Sequence, residues 1–114
     1  MKLQLGIEFG ERYIKFPNGT AICWNTHSFY NCNFVQNGNE YRYTLSNQTL
    51  NFPIKFVSVP VITMQTASND DYSWCNCMGV TRNESGISQL CFTRGSASTG
   101  GAIYLHYIAI GKWK

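Results

Sequence analysis

Gly101-Ala102-Ile103-Tyr104-Leu105-His106-Tyr107-Ile108-Ala109-Ile110-Gly111 is the longest nearly uninterrupted apolar run in the chain. Glycine bounds it on both sides, and Lys112-Trp113-Lys114 follows. Read with period two, Ile103, Leu105, Tyr107 and Ala109 share one face, and Tyr104, His106, Ile108 and Ile110 share the other. β-Branched and aromatic residues dominate, which suits a pleated strand better than a helix. Both faces are largely apolar, so such a strand needs cover on both sides. A small antiparallel sandwich wets one side of each sheet. The expected cover for Tyr104, His106, Ile108 and Ile110 is therefore another copy of the same chain. The plainer alternative is a central strand in a monomer's core.

The totals point the same way. A chain of 114 residues is one domain, long enough for a modest core. Charged residues are only 13%, while aromatics reach 15% with seven Tyr, seven Phe and three Trp, which excludes disorder and suits a β protein. The net charge of +3 comes from scattered basic residues that form no phosphate-binding stripe, so nucleic acid is not an expected partner. No run approaches the roughly 18 apolar residues of a membrane span, and Met1 to Leu5 does not read as a secretion signal. Membrane insertion is not expected. The five cysteines, Cys23, Cys32, Cys75, Cys77 and Cys91, are odd in number and cannot all pair within one chain. Cys75-Asn76-Cys77 lacks metal or redox spacing. The expectation is reduced, mostly buried thiols in a protein folded in a reducing cytoplasm, with no metal and no cofactor.

Working back along the chain, residues 1–11 read as an entry segment and 12–114 as the domain. Arg12-Tyr13-Ile14-Lys15-Phe16 alternates as a strand. Pro17-Asn18-Gly19 then supplies a hairpin turn, because Asn and Gly tolerate positive φ. Thr20 to Tyr30 is the return strand, with Ala21, Cys23, Asn25, His27 and Phe29 on one face. Residues 31–47 read as a long loop or a short extra hairpin, with a turn at Gln36-Asn37-Gly38-Asn39. A strand is expected near 48–52, a corner over 53–60 around Pro53 and Pro60, and a strand over 61–67. Trp74 to Thr81 and Ile87 to Thr93 complete the set, separated by Arg82-Asn83-Glu84-Ser85-Gly86. About seven short strands and no helical period predict an all-β, small antiparallel sandwich.

Catalysis has little support. His27 and His106 are the two histidines, and His106 lies mid-strand among apolar neighbours. Glycoside hydrolysis needs facing carboxylates about 5–10 Å apart. The six acidic residues, such as Asp70, Asp71 and Glu84, read more simply as solvated turn residues, so no catalytic residue is assigned. Binding has better support. Aromatic planes cover the C–H faces of sugar rings while polar side chains bond the hydroxyls. Asn69-Asp70-Asp71-Tyr72-Ser73-Trp74 brings those types together, and Arg94 opens the small-residue loop that ends at Gly101. The candidate ligand-binding set is Asn69, Asp70, Asp71, Tyr72, Trp74 and Arg94. Trp74 reads equally well as a core residue.

The order of features also resembles a known family. Tyr13-Ile14-Lys15-Phe16-Pro17-Asn18-Gly19-Thr20-Ala21-Ile22-Cys23-Trp24, then Leu50-Asn51-Phe52-Pro53-Ile54-Lys55-Phe56 and Val59-Pro60-Val61-Ile62, and finally Tyr107-Ile108-Ala109-Ile110-Gly111-Lys112-Trp113-Lys114, is similar to the C-terminal domains of bacteriophage tail fibres and tail spikes. Cys75, Cys77 and the 31–47 segment stand outside that pattern. The resemblance implies a homotrimeric β-sandwich knob at the distal tip of a virion's fibre, with Tyr104, His106, Ile108 and Ile110 at the trimer interface. It implies a bacterial surface glycan or another receptor as partner, and an architecture shared with H-type lectin domains. The alternatives are a free-standing lectin-like carbohydrate binder and a structural trimerisation cap of a fibre.

Overall fold

Ten strands, and no helix, run through the described residues of the computed structural model, 6–32, 34–68, 76–78, 81–94 and 101–114. They are β1 (Glu8–Phe9), β2 (Tyr13–Lys15), β3 (Thr20–Cys32), β4 (Val35–Asn37), β5 (Glu40–Asn51), β6 (Val61–Ser68), β7 (Asn76–Met78), β8 (Thr81–Arg82), β9 (Gly86–Arg94) and β10 (Gly101–Lys112). The first sheet has the order β1-β2-β3-β10-β6. The second has the order β4-β5-β9-β7, with β8 also on β9. All the pairs are antiparallel.

β10 has β3 on one side and β6 on the other: Tyr107 is the partner of Asn25 and of Met64. Its alternation is as its residues dictate. Ile103, Leu105, Tyr107 and Ala109 are 1%, 0%, 2% and 0% exposed and form the floor of the core. Ala21 and Cys23 of β3 lie beside them, and Ile87, Leu90 and Phe92 of β9 close the core from the second sheet. Phe29 meets Phe92 with ring centroids 5.5 Å apart, and Phe52 meets Tyr107 at 5.7 Å, so aromatic contacts bridge the layers. Among the described residues nothing covers the second face of β10 around Ile108 and Ile110, which are 48% and 45% exposed. Cover on both sides, expected from the sequence, is present within one chain on one side only.

Both predicted turns form. The Phe16 amide donates to the Thr20 carbonyl at 2.8 Å, and Gly19 takes φ +96°. Gly38, at φ +66°, turns β4 into β5. That hairpin resolves the 31–47 segment, and its second strand is longer than the sequence implies, running on to Asn51. The corner spans 52–60, where Phe52, Ile54 and Phe56 point inward at 7%, 8% and 1% exposure. Within 74–81, Asn76–Met78 and Thr81–Arg82 pair along one neighbour, β9. Glu8 and Phe9, from the entry segment, pair with Lys15 and Ile14 and so extend the first sheet. Cys23 and Cys32 are buried cysteines, the Cys32 thiol donating to the Phe29 carbonyl at 3.5 Å, and Cys91 is a half-buried one.

Candidate functional site

Among the described residues, two places carry side chains that the core does not use: the outer face of the first sheet and a cleft at the sandwich's flank.

The outer face follows from register. Phe9, Ile14, Ile22, Ile110 and Val61 are successive partners across β1, β2, β3, β10 and β6. Directly opposed residues share a face, so this is one apolar row across all five strands. Two residues along, Trp24, Ile108 and Thr63 form a second row. Val61 is 72% exposed, Ile108 48%, Ile110 45% and Trp24 36%. Beyond them the face turns polar, with rows Thr26–His106–Gln65 and Ser28–Tyr104–Ala67. His106 Nδ1 lies 3.0 Å from Thr26 Oγ1. Tyr104 is half-buried and His106 exposed. The four residues assigned to self-association thus do share one outward face.

The loop-bearing end is set by topology. Ser68 is the partner of Ile103, Asn76 of Thr93, Arg94 of Tyr41, and Gly101 of Cys32. β6 and β9 therefore end, and β7 and β10 begin, at the same end of the sandwich. Asn69, Asp70, Asp71, Tyr72 and Trp74 lie outside the described residues. Arg94 is placed by its backbone as the last residue of β9.

The flank cleft was not read from the sequence. It is about 300 Å³ and is lined by Glu11, Arg12, Tyr13, Asn25, Asn51 and Pro53. These come from the β2 approach, mid-β3, the end of β5 and the corner. The Tyr13 hydroxyl donates to Glu8 Oε2 at 2.9 Å, and Arg12 lies 3.5 Å from Glu11. Behind Asn25 the core holds two buried polar atoms without a hydrogen-bond partner, Tyr107 Oη and His27 Nε2. The two rings are stacked, with centroids 6.0 Å apart. Asn25 offers the Tyr107 hydroxyl a weak interaction short of a full hydrogen bond. Burial, with the Cys23 side chain adding to it, pushes the Tyr107 phenol up to about 12. Burial, helped by the Arg12 charge, lowers the His27 imidazole. An unmet buried hydroxyl costs about 1–3 kcal/mol. The available signal was Asn25 and His27 on the buried face of β3, between Cys23 and Phe29. Arg12 and Asn51 join them only through the fold.

A larger depression of about 680 Å³ runs along Lys55, Phe56, Val57, Asn83, Glu84, Ser85 and Trp113. Two of its polar side chains, Asn83 and Trp113, are engaged in the fold. Asn83 Oδ1 accepts the amides of Ser85 and Gly86, and the Trp113 indole donates to the Phe16 carbonyl at 2.8 Å. Lys15 Nζ and Lys114 Nζ stand 5.2 and 5.0 Å from the Trp113 ring.

Among solved structures, a P. aeruginosa R1 pyocin fibre comprising C-terminal residues matches 96% of this chain with a TM-score of 0.55 at 13% identity. In fold, the chain is similar to a pyocin tail fibre. An N-truncated R1-type pyocin tail fibre matches the same 96% with a TM-score of 0.52, also at 13% identity. The chain spans 28% of the first structure and 87% of the second. No family model and no curated protein matches it. At this identity the likeness is one of fold. The pyocin-like architecture is the two-layer antiparallel arrangement described above.

Proposed function

We propose that this chain is a non-enzymatic, homotrimeric receptor-binding domain of a phage or phage-tail-like fibre, attaching a particle to a bacterial surface glycan or another receptor. The observation that carries the reading is the fold match to pyocin tail fibres over 96% of the chain. Three further features support it. The sequence motifs independently resemble tail-fibre C-terminal domains. The first sheet leaves an apolar row open, and a second copy would cover it. β6 and β9 end, and β7 and β10 begin, at one end, as a distal binding surface requires. Many weak loop contacts on joined copies would act together through avidity. The thiols Cys23 and Cys91, which form no disulfide, suit folding in a bacterial cytoplasm before assembly into the virion.

Binding of the purified domain to an array of bacterial surface glycans tests this, together with a variant carrying Asp70→Ala, Asp71→Ala and Tyr72→Ala. The expected result is binding to at least one glycan, clearly weakened in the still-folded variant. Unchanged binding by the variant removes those residues from the site. A stable trimer that binds neither glycans nor bacterial cells favours the structural cap.

A further inference from the structure

We infer that the flank cleft is a sugar-binding site for one neutral hexose ring, separate from the loop-bearing end. This goes beyond the proposed receptor site and depends neither on those loops nor on trimer formation. The first argument is chemical. The lining is mixed in the way a polyhydroxylated ring needs. Arg12 supplies guanidinium donors, Asn25 and Asn51 each supply an amide donor and acceptor, and Glu11 supplies carboxylate acceptors. The Tyr13 ring and Pro53 present apolar surface to C–H groups. Glu11 and Arg12 lie 3.5 Å apart and offset each other, so the lining favours a neutral ligand over an acidic one.

The second argument is size and order. A volume of about 300 Å³ stands at the lower limit of ordinary small-molecule sites, which suits one ring and not an extended chain. Tyr13 is held in place before any ligand arrives. Its hydroxyl is tied to Glu8, Lys15 Nζ lies 5.6 Å from its ring centroid, and its ring fills the space a side chain at Gly10 would need.

The test is saturation-transfer NMR on the purified chain, with glucose, galactose, mannose and N-acetylglucosamine as separate probes. At least one should receive saturation and shift the side-chain amides of Asn25 and Asn51. Arg12→Ala with Asn51→Ala should weaken its affinity by at least roughly tenfold, about 1.4 kcal/mol, with an unchanged circular dichroism spectrum and melting temperature. The Asp70→Ala, Asp71→Ala, Tyr72→Ala variant should bind the same monosaccharide normally, which separates this site from the loop site. No saturation of any of the four sugars, binding that the double variant leaves unchanged, or shifts confined to residues away from the cleft would each overturn the inference. If the double variant unfolds, Asn51→Asp alone, at the exposed rim, should still weaken binding, and normal binding by it would count against the site.

Discussion

At the scale of single residues, the core carries titratable groups that make its stability depend on pH at both ends. Cys23 is fully buried, and that burial pushes its thiol up to about 11 from an ordinary 9.0. The Tyr107 phenol is pushed up to about 12 from 10.0. A group raised on folding favours the folded state fully below its unfolded pKa, and that contribution is lost as pH rises through the folded value. Stability should therefore be level up to about pH 9 and fall between about pH 9 and 12, by an amount on the order of a few kcal/mol. His27 has the opposite sign: its lowered value contributes stability above about pH 6.5 that is lost as pH falls. Urea titrations across the pH range check both limbs, and Cys23→Ala should shallow the alkaline one. A limb unchanged in that variant would contradict the assignment. Tyr107→Phe removes a buried hydroxyl with no full hydrogen bond, so it should leave stability unchanged or raise it by up to about 1–3 kcal/mol. A loss in the same titration would mean the hydroxyl has a partner in solution.

At the scale of elements, β10 was legible because its period of two is unbroken: Ile103, Leu105, Tyr107 and Ala109 all point inward. The Asn18-Gly19 turn was legible because positive φ has a small set of residues that adopt it. Gly19→Ala, at φ +96° and with the Lys114 carbonyl 3.1 Å from the new methyl, should lower stability by about 1 kcal/mol or more. That corresponds to roughly 4 °C in a thermal melt for a chain of this size. β5 was read short because its period breaks. Tyr41, Tyr43 and Leu45 turn inward at odd positions, whereas Leu50 does so at an even one. Between them the register passes from Leu45–Leu90 to Thr49–Ser88, four residues against two, beside Gln89 at φ 56°. Such a bulge inverts the faces, and alternation alone does not reveal it. A similar shift near Gly101 puts Cys32 inward after Phe29. The corner is held by side chains that a strand pattern overlooks. Phe52 meets both Phe56 and Tyr107, so Phe52→Ala should cost about 3–5 kcal/mol in the same melts, against almost nothing for exposed Lys55→Ala.

At the scale of the whole molecule, the fold is elongated rather than compact. The extents are 53 × 24 × 19 Å, and the radius of gyration is 16.3 Å, against roughly 13 Å for a compact domain of this length. The exposed surface is 6936 Å², above the roughly 6,300 Å² of a compact monomer of 12.9 kDa. The sequence announced the open face as an apolar second side on one strand. It did not announce that Phe9, Ile14, Ile22 and Val61 extend that side over five strands, because the alignment is set by long-range register. The flank cleft was hidden for the same reason, since Arg12, Asn25 and Asn51 meet only after β2, β3 and β5 are placed. Ile108→Asp with Ile110→Asp should leave the core intact, because both side chains point away from it, and should yield a folded monomer. Native circular dichroism with an unchanged assembly mass would place the contact elsewhere. The central claim is that copies of this chain cover the outer face of the first sheet. Light scattering on the purified chain at micromolar concentration tests it most directly. The account predicts a mass of about 39 kDa, three times 12.9 kDa, and a stable species of 12.9 kDa would contradict it.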